Sequence, residues 1–390
     1  MIRRDHSPFD PLFLQPELSR TILLSDLRLD PYEIKRILEV RITQEVNEHA
    51  TLYCRGLLAE DIGLSYIEQN AKGKNISLIV LGHSRNEAVL YSGIIKEIEV
   101  KVIEGVYHLE VHAISYSSLL DVKQRSRSFQ DKKMTYTQLL EKITAAYSGA
   151  AVIDMVSGGK PINQFLVQHL ETDWGLIKRI AATDFNTGLV CDPRFDTPKY
   201  YFGIPRVQLI ELDCFNYSVK KDFQKFKTLS ENGVKQLTEH DFICYEVETA
   251  SLLNIGDRVK FQGKQLQVAA LKRMSRQELF LNQYVLMPTR GFSQPECLHQ
   301  QIVGCSFGAR VIAVNNDTIK VHLDIDEAQD VATASYLKYS TIYSSPDGSG
   351  WYCMPEIGDR VRVHFPDGND DHAYAISSVH EPVVQEDGNR

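Results

Sequence analysis

Three residues whose types suit chemistry stand close together: His108, Glu110 and His112 in YHLEVHAI. In a strand, alternation puts all three on one face, with Tyr107, Leu109, Val111 and Ala113 on the other. Two imidazoles and a carboxylate are donors for zinc or iron, but such a centre needs further ligands, and no spacing motif supplies them. The plainer expectation is the polar face of an amphipathic strand. Asp367, Asn369, Asp370 and Asp371 in PDGNDDH are oxygen donors of the kind calcium takes, yet they lack the spacing and closing glutamate of an EF-hand loop. They are expected to form a solvated hairpin loop. SPDGSG at Ser345–Gly350 has the Asp-Gly chemistry of a turn, and VSGGKP at Val156–Pro161 lacks the Walker spacing. No His-Glu-x-x-His is present, and no acidic pair is marked as a glycosidase dyad. The expectation is no catalytic residue, no bound cofactor and no metal.

The bulk properties agree with a binding or structural role. The chain has 390 residues, 43% hydrophobic and 24% charged, enough for two to four domains of roughly 100–200 residues each. A net charge of -8 opposes a general nucleic-acid binder. The basic run Lys123–Lys133, KQRSRSFQDKK, is short and reads as a solvated loop. No apolar run is long enough to span a bilayer as a helix, and the N-terminus lacks the apolar core of a signal peptide. Seven scattered cysteines without a Cys-x-x-Cys fit reduced thiols.

The elements that carry these residues are mostly strands. RILEVRITQEV, HATLYCRGLL and ISLIVLG alternate, and two long strands flank a Glu104-Gly105 turn. MTYTQLLEKITAAY (Met134–Tyr147) reads as a helix with a Thr135/Gln138 capping box and Leu139, Leu140, Ile143 and Tyr147 on one face. TDWGLIKRIAATDF reads as a second helix, with Thr172 as N-cap and Trp174, Ile177, Ile180 and Ala181 buried. GLVCD and KYYFGIP are strands beside it. FICYEVETA, IGDRVKFQGKQLQVAAL with a hairpin at Gln262-Gly263-Lys264, and ELFLNQYVLM form a further β-region. After a Pro- and Gly-containing linker, GARVIAV, TIKVHLDI, DRVRVHF and HAYAISSV make a last β-domain.

Ile-Gly-Asp-Arg-Val occurs twice, at Ile255–Val259 and Ile357–Val361. In both copies glycine permits a turn with positive φ, aspartate bonds neighbouring amides, and valine opens a strand. The residues after the first copy make a tight FQGK hairpin and those after the second a longer polar loop, HFPDGNDD. Two unrelated barrels using one local solution are therefore expected.

The segment Ser344–Val379 resembles the OB-fold of VgrG and phage baseplate spike proteins. The resemblance rests on Gly350-Trp351, Met354-Pro355, Gly358-Asp359, Val361 to Phe365, Asp367-Gly368 and Ala375 to Val379, in that order. TDWGLIKRIAATDFNTGLVCD, VETASLLNIGDRVKFQGKQLQV with ELFLNQYVL, and YSGIIKEIEVKVIEGVYHLEVHAISYSSLLD resemble the hub of the same family, so the likeness covers about residues 20–382. It implies a mainly β chain with an α+β insertion: two hub β-barrels with a small inserted α+β domain, then a C-terminal OB-fold barrel. The expected divisions are an N-terminal arm at 1–30, a first hub barrel at 31–125 and an inserted α+β region at 126–240. Beyond these come a second hub barrel at 241–290, completed by strands from the preceding region, an OB-fold at 301–381 and a linker toward a spike at 382–390.

The resemblance further implies a structural hub and spike base of a contractile injection system, adapting a threefold spike to a sixfold inner tube. Implied partners are two further copies in a homotrimer, an Hcp-like inner tube protein, baseplate wedge proteins, a spike tip or PAAR-like protein and effector cargo, with no nucleic-acid specificity. Assembly in the cytoplasm and outward delivery on firing go with this. The family's β-helix and its lysozyme-like domain have no counterpart in this sequence, and Glu381–Arg390 is expected to begin a spike. The rival expectation is a cell-wall hydrolase with an OB-type glycan-binding module and an active site within 126–240. A nucleic-acid-binding OB protein is disfavoured by the charge.

Overall fold

The structure is a computed structural model that describes residues 21–60, 66, 75–82, 87–206, 209–214, 216–340 and 354–376. The segments Ser345–Gly350 and Glu381–Arg390 lie outside the described residues. In chain order the strands begin with β1 (Ile22–Leu23), β2 (Leu27–Asp30), β3 (Arg36–Glu45), β4 (Thr51–Leu57), β5 (Asn75–Leu81), β6 (Glu87–Ile103), β7 (Val106–Ser115) and β8 (Gln124–Phe129). Helix α1 (Tyr136–Thr144), β9 (Ala151–Asp154), β10 (Leu166–Thr172), α2 (Asp173–Phe185), β11 (Leu189–Cys191) and β12 (Lys199–Phe202) come next. Then come β13 (Leu209–Glu211), β14 (Tyr217–Lys221), α3 (Phe223–Glu231), β15 (Ile243–Thr249), β16 (Arg258–Phe261), β17 (Lys264–Arg276) and β18 (Leu279–Met287). The last strands are β19 (Ser306–Asn315), β20 (Thr318–Leu323), β21 (Tyr336–Ser340), β22 (Arg360–His364) and β23 (Tyr374–Ile376). No helix of the described residues is long and apolar enough to cross a membrane.

The chain forms two compact units. The first is Met1–Asp121, Glu141–Gly158 and Ile180–Glu296; the second is Val122–Leu140, Gly159–Arg179 and Cys297–Arg390. The sequence expectation of a separate α+β region at 126–240 therefore differs from the structure. Its strands β8 and β10 pair with each other in the second unit, while β9, β11 and β12 form a small sheet in the first. The physical reason is hydrophobic: Phe165 and Val167 are buried in the same core as Val321, Val363 and Phe365. The arm expected at 1–30 is also strand from Ile22, because Ile22, Leu27 and Leu29 are buried and β1 and β2 pair with β18 and β5.

The first unit is built on a 13-stranded sheet whose strand order repeats. One half runs β3-β4-β7-β6-β5-β2, and the other runs β14-β15-β18-β17-β16-β13. The halves match in register as well. A bulge interrupts the β6·β7 ladder between Ile95 and Glu97, and another interrupts β17·β18 between Val268 and Ala270. Both hairpins then turn at the same distance, between Ile103 and Val106 and between Arg276 and Leu279. The Glu104-Gly105 turn has φ of 50° and 80°, and Gln262-Gly263, between β16 and β17, has 49° and 71°, the left-handed pair that suits two-residue hairpins. The outermost pairing differs, β2 being antiparallel to β5 and β13 parallel to β16, and β18 pairs in addition with β1. The halves are joined by antiparallel pairing of β3 with β17, from Ala270 opposite Glu45 to Met274 opposite Arg41.

The second unit contains a closed barrel, β19-β20-β21-β23-β22, in which β21 and β23 run parallel and the other neighbours antiparallel. That is the five-stranded Greek-key barrel of the OB-fold. Alternation explains its core: Ile319, Val321 and Leu323 point inward from β20, and Val361 and Val363 from β22. Strand β21 has no counterpart in the sequence reading, because YLKYS alternates too briefly to mark a face. In α1, Thr135 and Gln138 form the expected reciprocal cap, Gln138 N–H to Thr135 Oγ1 at 3.2 Å and Thr135 N–H to Gln138 Oε1 at 2.9 Å.

The repeated pentapeptide makes the same turn twice. Asp257 Oδ2 accepts the Asn254 amide at 2.8 Å and Asp359 Oδ2 accepts the Glu356 amide at 2.9 Å. Each glycine amide donates to a neighbouring-strand valine, Gly256 to Val268 O and Gly358 to Val311 O, both at 2.8 Å. Their φ angles are 89° and 102°, open to glycine and strained for other residues. The surroundings differ. A Cβ on Gly256 would lie 2.6 Å from Pro205 O, whereas on Gly358 it would meet nothing within 4 Å. Gly358→Ala is expected to cost about 1 kcal/mol from backbone strain alone, and Gly256→Ala about 3 kcal/mol because steric overlap adds to it. Urea unfolding of the two variants checks the ranking; equal losses would contradict it.

Candidate assembly interface

Among the described residues several strand edges of the first unit are paired on one side only, and two of them, on β14 and β6, carry exposed apolar residues. Strand β14 ends the sheet and pairs only with β15, leaving Tyr217 at 44% and Val219 at 55% exposure. Strand β6 pairs with β5 only as far as Ile94, so from Glu97 to Ile103 it has β7 on one side and no described strand on the other. Val102 and Ile103, at its end, are exposed. Exposed edges carrying apolar residues invite another chain. His108, Glu110 and His112 share one face of β7 as alternation requires, opposite the buried Leu109, Val111 and Ala113. Glu110 turns to Lys101 Nζ at 2.8 Å and His112 leans on the Tyr53 ring at 4.9 Å, so the three do not converge. Among the described residues no group of three or more His, Cys, Asp or Glu is placed to hold a metal.

In the second unit the basic run is a paired strand rather than a solvated loop. Arg125 Nε and Arg127 Nη2 donate to the two oxygens of Asp173 at 3.0 and 2.6 Å, and Asp173 is fully buried. Gln168 Nε2 adds a third bond to that carboxylate at 2.9 Å. The residue before it, Thr172, caps α2 as expected, accepting the Gly175 amide at 3.0 Å. Asp173 therefore sits in the first turn, where the helix dipole favours its charge.

The PDGNDDH loop is likewise a fastening, not the solvated hairpin loop that its composition suggests. Asp370 Oδ2 accepts the Val167 amide at 2.9 Å and Arg179 Nη1 at 3.1 Å, while Asp371 Oδ1 accepts the Phe165 amide at 3.0 Å. Arg179 also holds Glu171 through two bonds, at 3.1 and 3.0 Å. Burial opposes its charge, but Asp370 and Glu171 outweigh that and hold its pKa above the ordinary arginine range. Among the described residues of this seam the carboxylates accept from arginines, amides and Lys132, with His299 Nδ1 3.6 Å from Asp370, an arrangement that holds strands together. Alternation of Arg125 and Arg127 along the basic run was the one sequence signal that could have marked a strand; nothing local marks Arg179, and PDGNDDH marks Asp370 only as an oxygen donor.

The first unit has its own buried acid. Asp257, 2% exposed, lies near Arg194 and Arg273, and Asp192 pairs with Arg194 at 2.5 Å. Desolvation pushes the Asp257 carboxyl up to about 6, although the Asn254 amide and both arginines pull it down. In VSGGKP, Asp154 Oδ1 accepts the amides of Val156 and Ser157 at 3.1 and 2.9 Å, a local turn rather than a phosphate cradle.

The first unit thus holds two half-sheets of one strand order in a single sheet, and the second unit a closed OB barrel. Residues 309–380 match the type VI secretion system/phage-baseplate injector OB domain family. No curated protein sequence matches the chain. Among solved structures it is similar to Escherichia coli c3393, described as a component of the type VI secretion system with structural similarity to T4 bacteriophage tail proteins gp27 and gp5. That likeness has a TM-score of 0.60 at 13% identity, over 91% of this chain and 99% of that one. A chain of the Francisella PdpA-VgrG complex gives 0.56 at 9% identity, over 90% and 68%. The 43 kDa tail protein of prophage MuSo2 from Shewanella oneidensis gives 0.51 at 12%, over 69% and 98%. The fold is that of the VgrG and phage baseplate hub–spike proteins.

Asp173 and Asp257 make different predictions. Asp173→Ala is expected to cost about 3 kcal/mol, toward the low end for breaking a buried pair because Arg125 and Arg127 keep 26% and 25% of their side chains exposed. Urea unfolding followed by the fluorescence of the adjacent Trp174 reads the loss, and an unchanged midpoint would contradict it. Asp257 binds its proton more tightly in the folded than in the unfolded chain. Its contribution to stability is therefore full below the ordinary carboxylate range and is lost as pH rises through about 6. At roughly 1.4 kcal/mol per pKa unit the loss at neutral pH is about 3 kcal/mol. Asp257→Asn should thus gain stability relative to the parent between about pH 4 and pH 7; a constant difference across that range would refute the assignment.

Proposed function

We propose that the chain is the hub and spike base of a contractile injection system, and that it acts as a homotrimer. The observation that carries this reading is the repeated strand order of the first unit, joined in one sheet through β3 and β17. Two equivalent barrels per chain give three chains six barrel faces, which can seat a hexameric inner tube. The OB barrel of the same chain keeps threefold symmetry for a spike. In this reading the chain delivers force and has no catalytic site. The likeness of residues 309–380 to injector OB domains supports the spike-base role. In the described seam, Asp173 and Asp370 are engaged by arginines, which lends the hydrolase reading no support. The partners of the chain are then an Hcp-like tube protein above, wedge proteins around, and a spike tip or PAAR-like protein and effector cargo below. Assembly takes place in the cytoplasm before outward delivery.

The test is the symmetry of the assembled particle by electron microscopy. Three copies of this chain are expected, with density for six barrels against the inner tube. Six copies of the chain, or one, would overturn the proposal.

A further inference from the structure

The internal repeat of the first unit specifies a contact that one chain makes only once. Strand β3 docks on β17 just beyond the point where β16 leaves it. By the shared strand order the counterparts of β3 and β17 are β14 and β6. Among the described residues neither has a strand on one side: β14 on its outer edge, and β6 beyond Ile94, where its described pairing with β5 ends. From this geometry we propose that β14 of one copy pairs antiparallel with residues 97–101 of β6 in the next copy, repeating between chains the β3·β17 junction within one. The inference rests on the hub reading and deepens its trimer.

The register comes from the ladders. Ala113 and Leu286 each stand at the bulge, opposite Ile95 and Val268. Leu52 lies opposite Ala113 and Ile42 opposite Leu52; Tyr245 lies opposite Leu286 and Val219 opposite Tyr245. Val219 is therefore the counterpart of Ile42. Ile42 lies opposite Arg273, and counting from the bulge makes Val100 the counterpart of Arg273. Val219 of one copy then faces Val100 of the next, Lys220 faces Glu99, Lys221 faces Ile98, and Ser218 faces Lys101. One step further, Tyr217 meets Val102.

This register was obtained from backbone pairing alone, yet it suits the side chains. Lys220 meets a carboxylate, and the exposed Val219, Tyr217 and Val102 meet apolar partners, as favourable cross-strand pairs do. The opposite-charge bias of the two edges, EIEVK against SVKK, also disfavours pairing of either edge with its own copy.

The test is cysteine cross-linking of the full chain, with the exposed Cys297 replaced by serine in every variant. Val100→Cys combined with Val219→Cys is expected to give interchain disulfides on mild oxidation. Val100→Cys combined with Lys220→Cys, whose side chains would lie on opposite faces, is expected to give none. Glu99→Lys should shift the light-scattering mass toward monomer, and adding Lys220→Glu should restore it. A trimer by light scattering with no disulfide in the matched pair, or with an equal yield in the control pair, overturns the register and leaves the hub reading standing. A chain that stays monomeric and uncross-linked also overturns the inference, and the particle's symmetry then decides the hub reading separately.

Discussion

Backbone pairing at strand edges is the constraint on which the first unit depends. Every peptide unit at the edge of a sheet carries a donor and an acceptor that must find a partner or face water. A closed barrel removes the problem, and the OB barrel of the second unit takes that route with five strands. Among the described residues the two larger half-sheets do not close on themselves. They solve it by joining, β3 to β17, so that one edge of each half is covered by the other. The same solution makes the halves a single mechanical body, since a continuous ladder leaves no hinge at their junction.

The second unit depends on charge in a way that complements this. Strands β8 and β10 are short and rich in polar residues, with too little apolar surface to hold themselves in place. Phe165 and Val167 anchor one end in the barrel core, and arginine–carboxylate bonds do the rest. Buried ion pairs of this kind add modest net stability over apolar packing but tolerate only one arrangement of the donors. Asp173 accepts from three side chains and Arg179 donates to three partners, so a shifted register would strand several charges at once.

Local features were legible because their causes are local. The Glu104-Gly105 and Gln262-Gly263 turns, the Thr135/Gln138 cap and the Thr172 cap each need only a few neighbouring residues, and each is where the sequence puts it. The alternation of β20 and β22 likewise showed the barrel core. The repeat of the two half-sheets was not legible. Leu109 and Asn282 occupy equivalent buried places, as do Val111 and Tyr284, so the repeat preserves pairing and bulge position while the residues differ. The one pentapeptide that does recur marks a turn shared with the OB barrel instead. Composition misled at the basic run and at PDGNDDH, because charged residues look solvated until their partners, remote in sequence, are known.

A head-to-tail contact carries no stop signal. Copies go on adding until the rotation per copy brings the last edge round to the first, or, if the rotation misses, they climb into an open fibre with every contact intact. The choice between those outcomes lies in an angle, not in an affinity. A bulge is the element of a sheet that sets such an angle, because the extra residue bends the strand and tightens its twist. Lys96 and Ala269 are those extra residues, placed just before the stretches where β6 and β17 offer their edges. Two residues, acting through the backbone alone, would then determine whether this chain makes a bounded particle or an endless polymer.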